Sequence, residues 1–114
     1  MTRKEVIKKS LEYYIFDCNY EYHGQQKEDE ITHARELLKQ LETVEPNNNW
    51  LCSNFTLLDR ALKQERQYIK RCEIEQEPDT DMDEIREEKR ILFQLLGIIN
   101  DFREKLLGSV NIDI

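Results

Sequence analysis

Apolar residues recur every three or four positions along almost the whole chain, in four runs separated by three clusters of turn-forming residues. This period, close to 3.6, most constrains what the chain can fold into. In the first run Ile7, Leu11, Tyr14, Ile15, Cys18 and Tyr22 share one helix face. In the second, Ile31, Ala34, Leu37, Leu38, Leu41 and Val44 do so. Leu51, Phe55, Leu58, Ala61, Leu62, Ile69 and Cys72 form the third. Ile85, Leu92, Leu95, Leu96, Ile99, Phe102 and Leu106 form the fourth.

The breakers fall between the runs, at Gly24, at "EPNNN" (45–49) and at Pro78, and Gly108 follows the last run. Thr2 with Glu5 reads as a capping box that opens the first helix. The third helix is expected to start near Trp50 or Ser53 and to fray by Glu77, because Pro78 disfavours helix just before it. The fourth is expected to open at Thr80 or Asp81 and to end at Gly108.

The pattern predicts an all-α fold, an antiparallel four-helix bundle running up-down-up-down with helices 3 and 4 longer. The excess is about seven residues, or roughly 10 Å of helix. A single helical domain is expected over 1–108, with a loose C-terminal tail at 109–114. Only three Gly and two Pro in 114 residues, with 36% charged residues, suit helices that each bury one stripe.

A net charge of −7 disfavours direct binding of nucleic acid or of an anionic membrane. No apolar h-region follows "MTRKEVIKKS", so no secretory signal is expected. The longest apolar stretch, "ILFQLLGII", is too short to span a bilayer. Cys18, Cys52 and Cys72 form no C-x-x-C and read as reduced thiols, which places the chain in the cytoplasm.

The sequence "EIEQEPDTDMDE" (73–84) has an acid at every odd position from Glu73 to Asp83: Glu73, Glu75, Glu77, Asp79, Asp81 and Asp83. Asp79, Asp81 and Asp83 match the first three ligand positions of a calcium loop. The required Gly is replaced by Glu84, and the closing acid by Arg90. Capping of the fourth helix accounts for two or three of these acids. Those before Pro78 stand at the end of a helix, where acids are unfavourable.

In an up-down-up-down bundle the first and third turns share an end. Glu28 and Asp29 would then join the stretch in one acidic pole. Carboxylates along such an edge can imitate nucleic-acid phosphates and attract a basic protein.

Two further acids interrupt the apolar stripes, Glu65 between Leu62 and Ile69, and Glu88 between Ile85 and Leu92. Counted from Pro78 they stand at nearly the same height on facing helices. Each is expected to find a Lys or Arg, or to lie where water enters.

Glu84-Ile-Arg-Glu87 resembles half the magnesium motif of the MazG-like all-α nucleotide pyrophosphohydrolases, which pair E-x-x-E on one helix with E-x-x-D on the next. Here the nearest partner, Asp101, lies on the same helix, 17 residues or roughly 25 Å along, and cannot reach the same ion. Glu30-Ile-Thr-His33 has the E-x-x-H spacing of di-iron helices, but no second copy accompanies it. No metal, cofactor or catalytic residue is assigned.

Tyr13, Phe16 and Tyr20, with Val6, form a second apolar face on the first helix. This face is expected to mediate a homodimer or partner contact. The sequence thus predicts a non-enzymatic inhibitor or regulator of a basic, nucleic-acid-processing protein, in the manner of small acidic inhibitors of phages and mobile elements. A self-associating assembly protein is the alternative, and a metal-dependent nucleotide pyrophosphohydrolase comes after it.

Overall fold

The computed structural model describes residues 1–20, 25–75 and 81–112, and for 18–20, 25–27 and 108–112 the backbone alone. The expected turns at Gly24 and Pro78 lie outside the described residues. Five helices are described: α1 (Arg3–Tyr20), α2 (Gln25–Gln40), α3 (Asn48–Ser53), α4 (Phe55–Glu75) and α5 (Met82–Ile112). The fold is all-α. None of these helices is long and apolar enough to cross a membrane.

Local side-chain chemistry sets the helix starts. The Thr2 Oγ1 accepts from the Glu5 backbone N–H at 3.2 Å, and Glu5 Oε1 accepts from the Thr2 N–H at 3.3 Å. This is the reciprocal capping box read from the sequence. Asp81 Oδ1 accepts from the N–H groups of Asp83 and Glu84, at 3.1 and 3.2 Å, and so caps α5. Asn47 caps α3 by accepting from the Trp50 N–H at 2.9 Å.

The third expected helix is two helices. Asn54 leaves helical geometry at φ −121° and ψ 25°, closing α3 through its N–H to Leu51 O. Its own carbonyl accepts from the Leu58 N–H at 3.2 Å and opens α4. The apolar stripe continues across this break, through Leu51, Leu57 and Leu58, which are all buried. α5 continues past Gly108 to Ile112, beyond the expected end.

Two pairs of helices that follow one another along the chain, α1 with α2 and α4 with α5, run antiparallel. In the first, Tyr14 of α1 bonds Glu30 of α2, while Lys4 approaches Glu45 just beyond α2. In the second, Lys89 pairs with Glu73, and fourteen residues along α5 Arg103 pairs with Asp59. α1 packs on α2, α4 and α5, and α3 packs on α4 and α5.

The contacts of α1 with α4 step in opposite directions, Tyr13 against Tyr68 and Asp17 against Gln64. α1 and α4 therefore run antiparallel, whereas an up-down-up-down order makes the first and third helices parallel. The core joins Ile7, Leu11, Leu37, Leu58, Leu62, Leu92, Leu95 and Ile99, all essentially inaccessible. Burying each such side chain contributes roughly 1.5–3 kcal/mol. Their sum opposes the conformational entropy lost on folding.

Candidate functional site

Three groups of side chains were singled out by the sequence, and the fold treats each differently. The described acids of the expected pole stand at two places along α1. α1 places its N-terminal end beside the start of α5, where Met1, Glu5, Asp81, Asp83, Glu84 and Glu87 line one recess. Glu28 and Asp29 lie in the first turns of α2, near the other end of α1. The next residue, Glu30, is held by Tyr14 and by Arg60 of α4. The antiparallel course of α1 against α4 separates the two sets.

Within the 73–84 stretch the described acids also differ. Glu73 is paired with Lys89 at 3.0 Å, whereas Glu75 is exposed. Asp81 is used in the cap, and Asp83 lies 3.5 Å from Arg86. Glu77 and Asp79 lie outside the described residues. Glu87 bonds the Met1 amine at 2.6 Å, and this contact lowers the Glu87 pKa and raises that of the amine.

The two acids on the apolar stripes meet in the interior. Glu65 is 0% exposed and Glu88 1%. Lys9 of α1 reaches between them, its Nζ 2.7 Å from Glu88 Oε1 and 4.0 Å from Glu65 Oε1. Burial opposes the charge on Lys9, but the hydrogen bond and charge of Glu88, with the charge of Glu65, outweigh it and raise the Lys9 pKa. Glu88 thereby finds the partner that the sequence requires of it.

Glu65 does not share equally in this arrangement. Both of its oxygens lack a hydrogen-bond donor. Burial first, and then the Glu88 carboxylate beside it, push its pKa up to about 7. Two carboxylates can only accept hydrogen bonds, whereas a proton on Glu65 makes it a donor to Glu88. The assembly is Lys9, Glu88 and a Glu65 that holds its proton to near neutrality. Two acids answered by one lysine suit a shared proton. Among the described residues, no three His, Cys, Asp or Glu side chains converge in a way that could hold a metal ion. His33 is exposed.

The second face of α1 is divided. Val6 is buried, and the Tyr13 ring packs against Tyr68 with centroids 5.4 Å apart. Phe16 is 61% exposed. The side chain of Tyr20 lies outside the described residues. Lys9 stands between Val6 and Tyr13 on this same face, at helical spacing. Sequence reasoning assigned the stripe to an interface and overlooked Lys9. A lysine in the middle of an apolar stripe was the available signal for an internal ion pair.

No protein-family model, curated protein or solved structure matches this chain.

Proposed function

We propose that this chain acts by binding another protein, and that the acids at the start of α5 dock on a basic, nucleic-acid-processing partner as an inhibitor or regulator. The observation that carries this reading is the recess where Glu5 of α1, the capping Asp81, and Asp83, Glu84 and Glu87 of α5 face solvent together. Two helices fix the backbone that carries these carboxylates, so only side-chain freedom is lost when they meet a partner. Capping uses Asp81 and Glu5 and leaves Glu84 uncommitted by any ion pair among the described residues. The net charge of −7 adds a field that speeds encounter with a positive surface.

The test is a quantitative pull-down by wild type and by the Asp83→Asn/Glu84→Gln/Glu87→Gln variant, which keeps the Asp81 cap. The reading expects basic nucleic-acid-binding proteins to be retained by wild type, released by salt or by added duplex DNA, and lost by the variant. Equal retention by both proteins at low and high salt would refute it.

Self-association through α1 is the second reading, and Phe16, 61% exposed, is the residue that carries it. A Phe16→Ser variant that leaves the mass in light scattering unchanged removes it.

A further inference from the structure

On the face formed by α4 and α5 lies a groove whose charge is opposite to that of the chain as a whole. Its walls include Arg66, Lys70 and Ile74 of α4, and Lys89 and Phe93 of α5. Ile74 is 74% exposed and Phe93 48%, two large apolar side chains presented together. Lys89 is already committed, to Glu73 at 3.0 Å and to the Phe93 ring at 5.7 Å. Arg66 and Lys70 have no ion pair among the described residues, on a chain that carries 24 acids against 17 Lys and Arg.

Gly97 stands one turn along α5 from Phe93, on the same side. A Cβ added there would meet nothing within 4 Å. The fold itself gives Gly97 no packing reason, and glycine inside a helix costs roughly 0.5–1 kcal/mol relative to alanine. The open space there leaves room for close approach by something outside the chain.

We infer that this groove binds an acidic amphipathic helix of a different protein, its apolar residues seated between Ile74 and Phe93 and its carboxylates on Arg66 and Lys70. A groove lined by exposed apolar side chains and by cations suits the helix-in-groove mode, in which apolar anchors recur at i, i+3/i+4 and i+7. A second copy of this chain fits less well. A two-fold interface centred on this groove would gather Arg66 and Lys70 of both copies into one patch of like charge. Nucleic acid is disfavoured by the net charge of −7.

The experiment selects a displayed library of random 16-residue peptides on wild-type protein and measures the best binder by fluorescence anisotropy. Enriched peptides should be net acidic with apolar residues at helical spacing. Their affinity should fall about tenfold or more in Arg66→Glu/Lys70→Glu, and similarly in Phe93→Ser. Exchanging Glu for Lys in the peptide should restore binding to the charge-reversed protein. Gly97→Leu, which keeps every charge, should also weaken binding, and circular dichroism should show each variant as helical as wild type.

Basic or charge-neutral enriched peptides, no enrichment, or binding indifferent to these substitutions would overturn the inference. So would a wild-type dimer that Phe93→Ser dissociates, or single-stranded DNA bound through Arg66. The Asp83→Asn/Glu84→Gln/Glu87→Gln variant should keep the peptide affinity, so this groove and the acidic recess can fail separately.

Discussion

The carboxylates around Glu65 and those around Glu84 are the same chemical groups under opposite conditions. Glu65 and Glu88 are sealed in the core and depend on one lysine and one proton. Asp83, Glu84 and Glu87 stand in water, where screening weakens each charge within about 8 Å at physiological ionic strength. The internal acids therefore belong to the stability of the fold, and the external ones are available for recognition. Charge counted along the sequence does not separate these roles, whereas burial does.

The largest expected effect breaks the internal set. Lys9→Met leaves Glu88 buried without its cation. Removing one member of a buried pair costs about 3–5 kcal/mol. Lys9 itself is 45% exposed, which places the loss near the lower end, about 3 kcal/mol. Urea unfolding at pH 7 measures it, and a loss under 1 kcal/mol would show that Glu88 does not need Lys9.

A smaller effect follows from Glu65→Gln, which mimics the protonated acid and keeps a donor toward Glu88. At pH 8 this variant should be more stable than wild type by about 2–3 kcal/mol, and at pH 5 nearly equal to it. Gly97→Ala should raise stability by roughly 0.5–1 kcal/mol, because α5 gains a better helix former and the methyl group meets open space. A thermal melt checks this, and a lower midpoint would mean that the glycine serves the fold. The smallest effect belongs to Asp83→Asn/Glu84→Gln/Glu87→Gln, within about 0.5 kcal/mol of wild type in the same unfolding assay.

Much of this contrast was legible in the sequence. Local chemistry announced the cap at Thr2 and Glu5 and named Asp81 as one of two candidates to open α5. Counting from Pro78 brought Glu65 and Glu88 to one level, because a helical hairpin fixes height by residue number. Helical periodicity gives the face of a helix but not the neighbour that covers it. The packing of α1 on α4, the entry of Lys9 and the separation of Glu28 and Asp29 from Asp81 and Asp83 were therefore hidden. The break at Asn54 was hidden too, since Leu51, Leu57 and Leu58 carry the apolar stripe across it.

Unfolding free energy measured from pH 5 to pH 8.5 in three proteins tests the central contrast most directly. The folded chain holds the Glu65 proton up to about pH 7, whereas an ordinary glutamate, as in the unfolded chain, releases it near 4.5. Between these values the folded state binds more protons, so stability falls as pH rises and levels off above 7. For wild type a fall of about 2–3 kcal/mol is expected from this group between pH 5 and pH 8. The same fall is expected in Asp83→Asn/Glu84→Gln/Glu87→Gln and little or none in Glu65→Gln. A fall that survives in Glu65→Gln, or that disappears when the exposed acids are neutralised, would contradict the division between a buried structural pair and a surface set.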